Sequence, residues 1–152
     1  MPSDHTLSRF SMALPASWLR ASGKLNVPLY RLSGGRLGGK VGRAPVLLLT
    51  TTGRRSGQQR TAPVLYIRHG ERLVVIGSNA GNSHAPAWSL NLEANPDAEV
   101  EVGRAHSLVR ARVTGGEERA ELWRLMNQQY AGFDAYDAKT ARDIAVFVLE
   151  PR

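Results

Sequence analysis

Between Val46 and Glu150 six short runs, VLLLTTT, TAPVLYIR, RLVVIGS, AEVEV, HSLVRARVT and IAVFVLE, are rich in β-branched residues and are separated by glycine or polar turns such as HGE. This pattern constrains the fold more than any other feature, because such runs at close spacing read as strands joined by tight connections. Six strands in so short a chain predict a closed or nearly closed barrel, which leaves few strand edges exposed. Two helices are expected among them. One lies around APAWSLNLEAN, with Pro86 suited to a first turn, and one in GEERAELWRLMNQQY, with acidic residues at its start. The fold class is mainly β with a few helices (α+β), and 152 residues suffice for a single core.

The region before the strands reads differently. Leu7, Phe10, Leu14, Trp18, Ala21 and Leu25 recur at three- and four-residue steps, the period of one helix face, with Pro15 set to kink or split it. That stripe fits best a helix packed on the barrel; the sharper reading is a basic amphipathic segment lying on an anionic membrane with Trp18 at the interface. The link SGGRLGGKVGRAP then leads to the first strand. Its Gly34, Gly39 and Lys40 imitate a phosphate-binding loop, but Val41 stands where a Ser or Thr would bind magnesium, so a connector is the better reading. Residues 1–45 are thus expected to form a helix and a glycine-rich link, and residues 46–152 the barrel.

The loop Gly53-Arg54-Arg55-Ser56-Gly57, with Arg60 just beyond it, brings three guanidinium groups close together. Neighbouring arginines repel unless an anion lies among them, and glycines at either end allow backbone amides to turn toward the same point. A basic hairpin would need fewer arginines, so an anion cradle is expected. A second piece is GSNAGNSHAPAWSLNL. Here a strand ends at Gly77 among small residues, and a helix begins near Pro86, with Trp88 and Asn91 toward its start. A tryptophan in such a place is more often a core residue than a cofactor wall. A third is YAGFDAY, which spaces Tyr130, Phe133 and Tyr136 at three-residue steps. These aromatics suit either a wall over a pocket mouth, with phenols as proton donors, or a small satellite core.

Several functions are excluded or disfavoured. There are no cysteines, so disulfides, thiol catalysis and Cys-zinc sites are absent, and His5, His69, His84 and His106 lack metal-ligand spacing; no metal is expected. Net charge is +7 and all but three of the 20 basic residues are arginine, the exceptions being Lys24, Lys40 and Lys139. Such a balance favours an anionic partner, yet no nucleic-acid reader motif accompanies it, and nucleic acid is not expected. No apolar run is long enough to span a bilayer, and Arg9, Pro15 and Arg20 interrupt any signal peptide. A cytoplasmic protein is expected, with peripheral attachment to the inner face of the cell membrane if the N-terminal stripe is interfacial.

Taken together, LLLTTTGRRSGQQR, APAWSLNLEANPDAEVEV and ERAELW followed by the tyrosine cluster resemble the deazaflavin-dependent nitroreductase family of coenzyme F420-dependent oxidoreductases, over essentially the whole chain. The resemblance implies a split β-barrel of the flavin-reductase and pyridoxamine-oxidase type, holding coenzyme F420, an 8-hydroxy-5-deazaflavin with a phosphate and an oligoglutamate tail. It implies that Arg54, Arg55, Ser56 and Arg60 contact that anionic tail. Thr61, Ala62, Pro63, Val64 and Leu65 would form a backbone wall along the deazaflavin, and Gly77, Ser78 and Asn79 the opposite wall. Ala87, Trp88, Ser89, Leu90 and Asn91 would be the helix start that holds the rings. Tyr130, Phe133 and Tyr136 would lie on the acceptor side, with Ser78, Tyr130 and Tyr136 as catalytic candidates. Asn79 departs from the family, which often has a basic residue there. The implied activity is hydride transfer from reduced deazaflavin to a small-molecule acceptor, a quinone, enone or nitroaromatic; the alternative is a non-catalytic cofactor- or lipid-binding barrel.

Overall fold

The computed structural model describes residues 27–36, 40–41, 44–77, 85–129 and 144–152. The Leu7 to Leu25 stripe lies outside them. The described strands are β1 (Lys40–Val41), β2 (Ala44–Thr52), β3 (Gln59–His69), β4 (Arg72–Ile76), β5 (Asp97–Val102), β6 (Ala105–Val113) and β7 (Val146–Pro151). Helix α1 covers residues 27–33, α2 is Ala87–Ala94 and α3 is Gly116–Gln129. All pairings are antiparallel, in the order β1-β2-β3-β4-β7-β6-β5, and a further pairing of β2 with β5 closes β2 to β7 into a six-stranded barrel. The expected barrel and both expected helices are therefore present; the two-residue β1 and helix α1 were not anticipated.

Alternation along the strands sorts the side chains into two cores. Leu47, Leu49, Val64, Tyr66, Val75 and Phe147 point inward with Leu92 of α2. On the outside of β3, β4 and β7, Ile67, Val74, Ile76, Val146 and Val148 pack beneath Leu122 and Met126 of α3. Strands β4 and β7 are buried on both faces, which is why RLVVI and VFVL read as nearly continuous apolar runs. The outer face of β5 and β6 meets water and is lined with matched charges: His106 with Glu99, Arg110 and Arg152 with Asp97, and Arg112 with Glu118 and Glu150.

The barrel closes with a gap at one end. Strands β2 and β5 pair at Leu48 with Glu101, Leu49 with Val100 and Thr50 with Glu99. Continuing that register sets Val46 opposite Gly103, and there the Tyr30 hydroxyl of α1 intervenes. Its single proton is shared between the carbonyls of Val46 at 3.0 Å and Glu101 at 3.1 Å, and its oxygen accepts from the Gly103 amide at 2.9 Å. Tyr30 is fully buried, and burial pushes its phenol above the ordinary pKa. After α1 the chain reverses at Gly34 and Gly35, both at positive φ, where the Gly35 amide caps the Tyr30 carbonyl at 2.8 Å.

A second gap lies along β3, whose eleven residues outrun the five of β4. Residues 59–65 pair with β2, but pairing with β4 begins only at Tyr66. Among the described residues the other flank of this half-strand has no strand beside it. Pro63 sits within it, as a paired strand permits when the nitrogen faces away from the partner.

Candidate functional site

Loop 53–58 leads into β3 at one end of the barrel, and α2 is tied to that loop through Asn91. Ser56 folds the loop by accepting a hydrogen bond from the Gln58 amide at 3.1 Å. The Gly53 amide donates to the Gln58 carbonyl at 2.7 Å, and the Gly57 amide to the Gly53 carbonyl at 2.8 Å. Only Gly57 of the two glycines has positive φ, while at Gly53 a Cβ would lie 2.7 Å from Ser56 Oγ. The Gly53, Gly57 and Gln58 amides are thus used within the loop and the Arg54 amide is bonded to Asn91. Arg54, Arg55 and Arg60 are exposed, and among the described residues no acidic group pairs with any of them.

Asn91 joins this loop to the barrel. It is 2% exposed in α2, and its Oδ1 accepts from both the Arg54 amide and Arg54 Nη1, each at 3.1 Å. Its Nδ2 donates to Thr51 Oγ1 at 3.1 Å, and Thr51 is itself fully buried in β2. The neighbouring Thr50 hydroxyl lies 2.8 Å from that of Thr61 across the β2–β3 pair.

The start of α2 rests against the end of β4. Pro86 is the N-cap, with extended backbone at ψ 151°, and no side chain caps the helix. Ser89 in the first turn is 1% exposed, yet among the described residues its Oγ has no hydrogen-bond partner. It faces Gly77: a Cβ at that position would lie 2.8 Å from Ser89 Oγ and 3.1 Å from Ser89 Cβ. Glycine is what lets helix and strand approach there. Trp88 is half-buried, packs on the interior core and meets the Phe147 ring with centroids 5.9 Å apart.

Of the expected site residues, Ala62 and Val64 of β3 belong to the interior core, Leu65 packs toward α3, and Thr61 and Pro63 are half-buried. Ala87 is exposed and Leu90 half-buried. Ser78, Asn79, Tyr130, Phe133 and Tyr136 lie outside the described residues. Thr51 and Tyr30 escaped the sequence reading, although the three threonines ending an apolar strand mark where β2 turns polar. Among the described residues no group of acidic or histidine side chains forms a metal site.

The model of a family described as F420H(2)-dependent quinone reductase matches residues 22–151. An F420H(2)-dependent quinone reductase of Mycobacterium tuberculosis is 36% identical over 133 residues, covering 85% of this chain and 89% of the relative. A solved F420-H2 dependent reductase (FDR-A) superposes with a TM-score of 0.65 at 34% identity, over 70% of this chain and 94% of its own. A solved chain described as a domain-swapped dimer gives a TM-score of 0.67 at 30% identity, over 88% of this chain and 98% of its own.

Proposed function

This chain belongs to the F420H(2)-dependent quinone reductase family, and we propose that it reduces quinones at the corner formed by loop 53–58, the open flank of β3 and the start of α2. Coenzyme F420 is the cofactor; when bound it supplies a hydride from a ring carbon that disfavours one-electron chemistry. The observation that carries the placement is the set of three exposed arginines that, among the described residues, have no acidic partner and lie beside a half-strand with no strand on its other flank. Planar guanidinium forks suit the phosphate and carboxylates of the cofactor tail.

Two further observations support the fit. The buried, unpartnered Ser89 hydroxyl is a polar group that a heteroatom-bearing ring would satisfy. The flank of residues 61–65 offers backbone groups and a half-buried apolar surface to a flat ligand. Gly77 keeps Ser89 close against the barrel. Arg54, Arg55, Ser56 and Arg60 hold the tail, while residues 61–65, Gly77, Trp88 and Ser89 bound the ring. Ser78, Asn79, Tyr130 and Tyr136 complete our assignment, the first two beside Gly77 and the tyrosines on the acceptor side, with Ser78, Tyr130 and Tyr136 as the proton donors. Acceptors extend to enones and nitroaromatics, which share a quinone's electrophilic character.

Purified protein mixed with reduced coenzyme F420 and a naphthoquinone, an enone or a nitroaromatic should regenerate oxidised cofactor, read by its absorbance. Tight cofactor binding with no turnover on any acceptor would favour a non-catalytic carrier instead.

A second reading, attachment to an anionic membrane surface, rests on α1. Leu29 is 46% and Leu32 80% exposed, one helical step apart, with the exposed Arg36 close in sequence; Arg31 is already paired with Glu101. No helix among the described residues is long and apolar enough to cross a membrane. Sedimentation with phosphatidylglycerol vesicles should fall on Leu32→Asp; unchanged sedimentation would remove this reading.

A further inference from the structure

We infer that Asn91 is a positioning residue: it presets the Arg54 guanidinium for the anionic tail without itself touching the ligand. The inference rests on the proposed function and departs from the expectation that Asn91 holds the rings. Three observations carry it. Both polar atoms of the buried Asn91 amide already have protein partners, unlike the equally buried Ser89 hydroxyl, so it has little left to offer a ligand. Its Oδ1 takes two donors from one residue, Arg54 N and Arg54 Nη1, so the arginine side chain is curled back over its own backbone. Its Nδ2 is anchored on Thr51, a fully buried residue of the barrel wall, so the oxygen is held in place by the rigid part of the fold.

The consequence is a division of labour among the three arginines. Arg54 gives up one donor to Asn91 but keeps its charge, because an amide oxygen, unlike a carboxylate, leaves the guanidinium uncompensated. Its remaining donors face a ligand with part of their conformational entropy already lost. Arg55 and Arg60 make no comparable contact among the described residues and act through charge on flexible stems. An asparagine suits this task better than an aspartate, which would bind Arg54 as firmly but neutralise it.

The test is a double-mutant cycle read by fluorescence titration with oxidised coenzyme F420 and, in parallel, with the tail-less 8-hydroxy-5-deazaflavin. Asn91→Ala should weaken coenzyme F420 binding about tenfold, yet change it less than about twofold once Arg54→Ala is already in place, as expected for coupled neighbours. The tail-less compound should bind both proteins alike, a result that general loosening of the fold would not give. Asn91→Asp retains an oxygen acceptor for Arg54 and should fold even if the alanine variant does not; it too should lose affinity for coenzyme F420 and not for the tail-less compound. Equal losses for the two compounds, or an undiminished effect in the Arg54→Ala background, would overturn the inference and make Asn91 a direct contact. Failure of the unmodified protein to bind coenzyme F420 at all would overturn the proposed function, and this inference with it.

Discussion

Val46 and Gly103 face each other across the β2–β5 seam, and the Tyr30 hydroxyl bridges them where a backbone hydrogen bond would otherwise close the ladder. Helix α1 is thereby stitched into the sheet, with Arg31 paired to Glu101 beside it. Tyr30→Phe preserves the ring but leaves the Gly103 amide and the Val46 carbonyl without that partner, at a cost of about 1–3 kcal/mol. Chemical denaturation should show a lower midpoint with little change in slope.

The same bridge makes stability depend on pH at the alkaline end. Burial, the largest influence, holds the Tyr30 phenol above its ordinary value of 10.0, so the unfolded chain releases this proton first. Its contribution is complete below pH 10 and declines as pH rises from there through the raised value. The stability difference between the protein and Tyr30→Phe should therefore be constant from neutral pH to about pH 10 and shrink above it. A difference that stays flat through that range would show that the phenol is not held above its ordinary value.

Ser89→Ala should separate folding from binding. Removing a buried hydroxyl that has no partner should leave the cofactor-free protein as stable or more so, by up to about 1 kcal/mol, while weakening coenzyme F420 binding. Thermal melts with and without cofactor measure both effects. A loss of stability without cofactor would mean that the hydroxyl already has a partner.

Gly77→Ala should be destabilising by about 1–3 kcal/mol, because its Cβ would crowd the Ser89 side chain between strand and helix. Adding Ser89→Ala should recover only part of the loss, since Ser89 Cβ lies 3.1 Å from the new methyl whereas the hydroxyl lies 2.8 Å away. Denaturation of the single and double variants gives the coupling directly.

Arg55→Ala and Arg60→Ala should each weaken coenzyme F420 binding several-fold at low salt, with little effect on melting temperature. These groups are exposed and interact through a well-screened medium, so the losses should diminish together as ionic strength rises past about 0.1 M. Salt-independent losses would point to buried contacts instead.

The strands were legible because each carries its own signal: alternation or a β-branched run, ended by a glycine or polar turn. The helices at Ala87–Ala94 and Gly116–Gln129 were legible from Pro86 and from Glu117 and Glu118 in the first turn. What escaped was everything decided by partners distant in sequence. Tyr30 bonds to groups 71 and 73 positions away, and nothing around it in LNVPLYRLSGG signals a buried hydroxyl. Asn91 stood out at the start of its helix, but nothing in the sequence gives its bonds to Arg54, 37 positions earlier. The loop's internal bonding was hidden for a different reason: glycines permit many turns, and which amides bond to the Ser56 hydroxyl and the Gln58 carbonyl is decided by the folded loop.

Pro63 has a bearing on the protein before any ligand arrives. A half-strand with one flank open is a template on which another chain's edge can grow, and sheet proteins are prone to aggregate by that route. A proline in the middle of the open flank withdraws a donor that the incoming strand would need, leaving one of its carbonyls unmatched at a cost of about 1–3 kcal/mol. A ligand whose contacts are planar and apolar does not need that donor. The barrel can therefore stay open to a small flat molecule while discouraging self-assembly, and Pro63→Val should reveal the difference as faster precipitation of the cofactor-free protein on concentration.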